Sequence, residues 1–294
     1  MNADIVNEAI GSIEAASTED TPEPAKKPCA CSGGTTPANP KYVYALGRIE
    51  ARFPSVSVEK EYAQLVGRSN ASGMTDHEAL HAVLSQPQNR YLARQMCFVM
   101  SIEGMDTYVL VPRDPADLDR LIEATRSAPS PLDIDAVVGV LGPVAPPTVC
   151  GGLSIPIVFV DQVYSFDRAS LLGAIPRPDD AGEKQFMATA DEVLERVMQS
   201  ADNAGATDAH RALNYLALRY PAIYAEAFAR HAANFSLAAI DARPSTLGNG
   251  RNVFDVVYAF THRQSDFTEK RFCRVDVTDQ FPFLVTKLSP YYDK

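Results

Sequence analysis

The spacing of apolar residues predicts alternating strands and helices from about residue 41 onward. The run YVYALGRIEARF is typical of a strand. MCFVMSIEGMDTYVLVPRD predicts a hairpin, because two apolar runs flank a short polar turn at 103–106. Helical spacing covers 58–68 and 76–85, and Asp114 followed by Pro115 predicts the start of a third helix. AVVGVL then predicts another strand.

A second series of elements follows the irregular segment GPVAPPTVCGG, which predicts a hinge. IPIVFVDQVYSF indicates a strand, and helical patterns cover 168–175, 183–204 and 208–233, the last interrupted at Pro221. Four strand-like runs end the chain: FSLAAIDAR, VFDVVYAFTH, KRFCRVDVT and FPFLVTKL. Short polar connections between them favour antiparallel hairpins.

These patterns predict an α+β fold with two packed α+β halves, at 41–150 and 151–294. We expect the second half to consist of a helical segment followed by an antiparallel sheet. Residues 1–40 are rich in Pro, Gly, Ser, Thr and charge, and such a segment buries too little apolar surface to offset its ordering entropy. They are therefore predicted to be a disordered tail.

Charge and cysteine usage narrow the class of partner and the compartment. The net charge of −10 disfavours nucleic acid and anionic membrane surfaces as partners. The sequence has no apolar run of about 20 residues, and its start lacks the pattern of a secretory signal. Five cysteines in a chain of this length are not a disulfide framework, so Cys97 and Cys273 are expected in the core and the cytoplasm is the predicted location.

One motif has metal-binding spacing. His77, Glu78 and His81 match H-E-x-x-H, in which two imidazoles on one helix face could hold Zn²⁺ while the glutamate activates water. Thr75 and Glu78 also have the spacing of a capping box, which explains the glutamate without catalysis. The preferred interpretation is that the chain has no metal site, and a Zn-dependent hydrolase is the alternative.

A polar cluster lies where a helical hairpin turns, in ADNAGATDAHRALNYLALRYP. It is either a capped turn with solvated charges or a binding surface. Its candidate binding residues are Asp202, Asn203, Asp208, His210, Arg211 and Asn214. No cofactor is predicted, because the sequence contains neither a Walker loop nor G-x-G-x-x-G, and GLSIP fails as a nucleophile elbow. No catalytic residue is assigned.

Four stretches together resemble the domain of unknown function at the C-terminus of the cyanobactin maturation proteins PatG and PatA. They are YVYALGRIEARFPS, QNRYLARQMCFVMSIEGMDTYVLVPRDPADLDRL, ADNAGATDAHRALNYLALRYPAIY and RFCRVDVTDQFPFLVTKLSPYYD. The resemblance covers roughly 41–294. It does not extend to a subtilisin-type Ser-His-Asp motif, so it implies no protease or macrocyclase activity for this chain.

The resemblance implies an accessory, non-catalytic binding protein in the maturation of ribosomally made, modified peptides. Its expected partners are a precursor peptide or peptide-modifying enzymes, and it is expected to form a homo-oligomer. An edge strand is a template for an added peptide, and FPFLVTKLSPYYD is the candidate edge, with Pro282 and Pro290 limiting its length.

Overall fold

The computed structural model describes residues 40–67, 74–126, 133–177, 182–198 and 202–292. The predicted disordered tail therefore lies outside the described residues except for Pro40. The described chain contains helices and two sheets, which confirms the α+β prediction.

The first sheet is a closed barrel with the strand order β1-β2-β3-β5-β4. Neighbouring strands are antiparallel except β3 and β5, which run parallel. The first half of β1 pairs with β4 and its second half with β2, which closes the sheet. The strands are β1 (Tyr42–Arg52), β2 (Cys97–Ile102), β3 (Met105–Pro112), β4 (Ile134–Val144) and β5 (Pro156–Phe166).

Four helices accompany the barrel strands. The predicted cap at Asp114 is confirmed: its carboxylate accepts from the Ala116 amide at 2.7 Å, and Pro115 occupies the first turn. The apolar stripe of this helix, Leu118, Leu121 and Ile122, is buried. The helices are α1 (Val56–Val66), α2 (Asp76–Leu84), α3 (Arg90–Ala93) and α4 (Pro115–Ala124).

The predicted boundary at residue 150 does not coincide with a division between the sheets. Strand β5 lies beyond it, yet pairs with β4 and β3 and completes the barrel. GPVAPPTVCGG is likewise no hinge, because β4 continues to Val144 and the Ala145 amide bonds to the Ile155 carbonyl at 2.8 Å. Residues 41–294 form one compact unit.

The second sheet is antiparallel, with the order β6-β7-β8-β9, as the four apolar runs predict. The helices that precede it pack on one of its faces and bury Phe186, Leu194 and Leu216. The elements of this part are α5 (Arg168–Gly173), α6 (Glu183–Met198), α7 (Asp208–Arg219), α8 (Ala222–Ala232), β6 (Phe235–Pro244), β7 (Val253–His262), β8 (Thr268–Asp276) and β9 (Phe283–Tyr291).

One apolar cluster joins the two sheets. It contains Tyr44 and Ile134 from the barrel, Leu216 from α7, and Val256 and Val275 from the second sheet, each no more than 3% exposed. Because burial of this kind is the main stabilising contribution to folding, the two sheets are expected to unfold together.

The cysteine count gives no indication of a bridge between Cys97 and Cys150. These residues form a disulfide, with their Cα atoms 5.4 Å apart and a sequence separation of 53. Cys97 is buried as expected, but it is paired and not a free thiol. Cys273 is free and fully buried in the second sheet, where burial raises the pKa of its thiol to about 12.

Candidate functional site

The structure brings the six predicted binding residues together at the start of α7. Asn203, Arg211 and Asn214 are buried, whereas Asp208 and His210 are half-buried and Asp202 is exposed. Thr207 caps the helix by accepting from the His210 amide at 3.2 Å.

The two asparagines form a buried contact between the loop and the barrel. The Asn203 amide donates to Oδ1 of Asn214 at 2.7 Å and to the Val197 carbonyl at 3.3 Å. Asn214 Nδ2 donates to the Tyr44 carbonyl on β1 at 2.7 Å. Buried amides without such partners would be costly, so this pair fixes where the loop meets β1.

Arg211 holds the connection between β8 and β9. Its guanidinium donates to the Val277 carbonyl at 2.8 Å, to the Gln280 carbonyl at 3.2 Å and to the Asp279 carbonyl. Asp208 lies 3.0 Å from the same guanidinium and supplies the balancing charge. Arg211 therefore positions the backbone that leads into β9, a role that sequence spacing does not reveal because 66 residues separate Arg211 from Val277.

His210 contributes a neutral ring to this region. Burial lowers the pKa of its imidazole, and the nearby Asp202 carboxylate opposes that shift. Its Nδ1 atom is buried without a hydrogen-bond partner among the described residues. A role for the six residues in binding a ligand remains a prediction, while three of them stabilise the fold.

Strand β9 forms one edge of the second sheet, which confirms the predicted edge strand. Its exposure alternates, and Phe283 and Val285 are each 46% exposed on the same face as Lys287. Phe281, just before the strand, is 47% exposed. The Leu288 amide donates to the Tyr220 hydroxyl at 2.9 Å. Residues 283–287 precede this bond, and their pairing with β8 contains register shifts on both sides of Arg274. They are the candidate stretch for an added strand.

The other outer strand, β6, also has a side-chain bond at its edge. The Arg196 guanidinium on α6 donates to its Ala238 carbonyl at 3.3 Å. The two edges differ in their apolar residues, because β9 exposes Phe283 and Val285 whereas β6 exposes no large apolar side chain. This difference favours β9 as the site for an extended partner.

A cleft with a volume of about 380 Å³ lies beside one end of the barrel. It includes Asp135, whose carboxylate accepts from the Ile49 amide at 2.8 Å and from the Ser165 hydroxyl at 2.6 Å. These bonds continue the contact between β1 and β4 where their ladder ends, so Asp135 helps to close the barrel. The ionisable side chains that line the cleft are Arg48, Glu50, His77, Arg126, Asp133 and Asp135.

The Asp135 carboxyl should make stability depend on pH. Burial raises its pKa to about 6, against the lowering effects of Ser165, the Ile49 amide, Arg48 and Arg126. Because its pKa is higher in the folded than in the unfolded protein, protonation of Asp135 stabilises the fold. This contribution to the free energy of unfolding is fully present below about pH 4 and is lost as the pH rises through 6. Wild type should lose this stability on going from pH 4 to pH 7, whereas Asp135→Asn should not. The free energy of unfolding of the variant, measured in urea, should therefore rise relative to wild type by on the order of 2 kcal/mol over this pH change.

Asp167→Asn is the control for that measurement. Hydrogen bonds from Ser170 and from the Ala169 amide lower the pKa of the Asp167 carboxyl. Its contribution to stability is therefore lost as the pH falls, and the change lies at lower pH than that of Asp135. If the stability of Asp135→Asn relative to wild type does not change between pH 4 and pH 7, the carboxyl does not titrate in this window.

The H-E-x-x-H residues lie on α2, and the predicted capping box is confirmed. Glu78 accepts from the Thr75 amide at 2.7 Å, and the Thr75 hydroxyl accepts from the Glu78 amide at 3.3 Å. His81 Nε2 lies 3.1 Å from the Ser85 hydroxyl and 3.5 Å from Glu123. A catalytic triad needs its acid on the opposite ring nitrogen, so these three residues do not form one.

The described parts of the chain bring no three His, Cys, Asp or Glu side chains together in a metal-binding group. Two histidines without a third protein ligand do not make a zinc site of either usual type. The geometry therefore gives the hydrolase alternative no support.

Part of the chain is similar to a known protein family. The model of the family described as PatG C-terminal matches residues 180–291. The segment 180–291 is thus similar to PatG C-terminal domains. The resemblance predicted from the sequence is confirmed.

The matched segment runs from the start of α6 to the end of β9, so it contains both the Arg211 contacts and the β9 edge. A solved structure described as a PatG domain of unknown function is similar over more of the chain. It has a TM-score of 0.65 at 20% identity, and the match covers 85% of this chain and 98% of that one. At this identity the likeness shows a shared fold.

No curated protein sequence matches the chain significantly. Within the described ranges, no helix has the length and apolar content that crossing a membrane requires.

Proposed function

We propose that this protein is a non-catalytic accessory protein in the maturation of ribosomally made, modified peptides of the cyanobactin type. It binds an extended segment of a precursor peptide, or of a peptide-modifying enzyme, at the edge of the second sheet. The family match supports the pathway, because PatG C-terminal domains take their name from a cyanobactin maturation protein.

The observation that carries the binding role is the open edge at 283–287. An edge strand presents a row of unpaired backbone donors and acceptors, and an extended peptide can satisfy them by adding a strand. Phe283 and Val285 lie on one face of this stretch and are each 46% exposed, so they offer apolar contacts to alternate side chains of the added strand. Arg211 holds the preceding backbone in place, which prepares the edge before the partner arrives.

The proposal includes the assembly and compartment expected from the sequence. We propose a homo-oligomer in the cytoplasm, with neither nucleic acid nor membrane as a partner; light scattering tests the oligomeric state. In the proposed compartment, Cys97 and Cys150, which form a bridge in the structure, are expected to be largely reduced, because disulfides are uncommon in the cytoplasm. Alkylation of thiols in native cell extracts, followed by mass spectrometry, measures whether these two cysteines are bridged in the cell.

A binding titration tests the function. The probe is a fluorescently labelled precursor peptide from the same gene cluster, followed by anisotropy. We expect saturable binding to the wild type and at least about tenfold weaker binding to the double variant Phe283→Ser/Val285→Ser, because two apolar contacts are removed. Leu247→Ser is the matched control, since Leu247 is 66% exposed outside this edge and its loss should leave affinity unchanged.

Two outcomes would contradict the proposal. One is equal affinity in the wild type and in the double variant. The other is a chain that binds neither the precursor peptide nor the neighbouring enzymes, but converts the peptide to a product detected by mass spectrometry.

A further inference from the structure

The two strands at the open edge have a charge of the opposite sign to the whole chain. Strands β8 and β9 contain four cationic residues and two carboxylates, whereas the chain as a whole carries −10. Strand β9 itself contains Lys287 and no Asp or Glu. An exposed lysine on an acidic protein favours a partner that places a carboxylate beside it.

Both carboxylates of β8 form ion pairs with arginines outside β9. Glu269 lies 2.5 Å from the Arg230 guanidinium on α8, and Asp276 pairs with Arg251. Arg274 of β8 is balanced by Asp255 on β7, at 2.8 Å. Arg271 of β8 is likewise balanced, by Glu226 on α8 at 2.9 Å. Lys287 is exposed on the face of β9 that also presents Phe283 and Val285. The exposed cation beside Phe283 and Val285 is therefore Lys287.

We infer that the β9 edge selects an extended acidic segment, an inference that rests on the function proposed above. The segment has apolar residues at alternate positions, which lie beside Phe283 and Val285, and an Asp or Glu beside Lys287. Directly opposed side chains on neighbouring strands have Cβ atoms about 4.5–5.5 Å apart, close enough for these pairs to form. Alternate residues of a strand are about 6.6–6.8 Å apart, so one short segment reaches all three side chains.

A second copy of β9 does not meet this requirement. Its sequence, FLVTKLSPY, contains a lysine and no carboxylate, so pairing two copies would bring a second lysine to the edge. The whole chain would also bring another net charge of −10. The chemistry of the edge therefore favours an acidic peptide segment over a second copy of the chain.

Three synthetic nonapeptides test the charge preference. They share alternating Val and Thr and differ at one position, which holds Glu, Gln or Lys, and each is titrated into the full chain to millimolar concentration. We expect the Glu peptide to bind about fivefold more tightly than the Lys peptide, with the Gln peptide between them, as for an exposed ion pair. Lys287→Glu should reverse this order. Lys60→Glu makes the same charge change on the exposed surface of α1 and should preserve it.

The outcomes separate this inference from the proposed function. Equal affinities for the three peptides, or an order that Lys287→Glu leaves unchanged, would overturn the charge preference while edge binding stands. Absence of binding by all three peptides would overturn the inference, and failure of the precursor peptide in the preceding titration would overturn the function as well.

Discussion

Replacement of Gly205 by alanine is expected to destabilise the protein by about 3 kcal/mol or more. Gly205 has φ +74, and a Cβ atom there would stand 2.3 Å from the Tyr44 carbonyl oxygen. The Gly205 carbonyl also accepts from the Tyr44 amide at 2.9 Å, so the loop cannot retreat from β1 without losing that bond. The left-handed conformation adds about 1–2 kcal/mol for a residue with a side chain, and the clash adds to it. Urea unfolding measures the loss.

Gly250→Ala separates the two contributions to that loss. Gly250 has φ +87, but a Cβ atom there would have open space around it. We expect this variant to lose only the conformational part, about 1–2 kcal/mol. Equal losses in the two glycine variants would contradict the close packing of the 202–206 loop against the barrel.

Arg211→Met is expected to lower stability by about 3–5 kcal/mol, the cost of breaking a buried charged contact. Arg211 is 2% exposed, and methionine keeps part of its volume but donates no hydrogen bond. Its loss leaves the carbonyls of Val277 and Gln280 without this donor and Asp208 without its closest charge. The unfolding midpoint in urea gives the size of the effect.

The same variant should weaken partner binding, because the backbone that leads into β9 is no longer held. Arg196→Met is the control: Arg196 is exposed and donates to one carbonyl, so its loss should change stability by less than about 1 kcal/mol. A stability of Arg211→Met within 1 kcal/mol of the wild type would contradict a positioning role for this residue.

Local signals in the sequence predict most of the elements and several of their ends. The cap at Asp114, the capping box at Thr75 and the four final strands depend on neighbouring residues, so spacing alone identifies them. The helix predicted over 183–204 is described only as far as Met198, and positive φ values at Asp202 and Gly205 belong to a loop. Such breaks depend on contact with β1, which no local pattern contains.

The remaining features depend on contacts between distant parts of the chain. The Cys97–Cys150 bridge and the place of β5 in the barrel follow from strand register. Arg211 is part of the predicted polar cluster, but its carbonyl partners lie beyond residue 276. The edge strand could be predicted because a terminal run with prolines is typical of an edge. That Lys287 lies on this edge, on the same face as Phe283 and Val285, follows only from the pairing of β9 with β8.

Amide hydrogen exchange along β9 shows whether a partner adds a strand at this edge. The full chain is incubated in heavy water with and without the precursor peptide, and exchange is followed by mass spectrometry of short fragments. We expect amides within 283–287 to exchange at least about tenfold more slowly with peptide bound, because an added strand protects them, while β6 is unchanged. Peptide binding that leaves exchange in 283–287 unaltered, or that protects β6 in its place, would contradict strand addition at this edge.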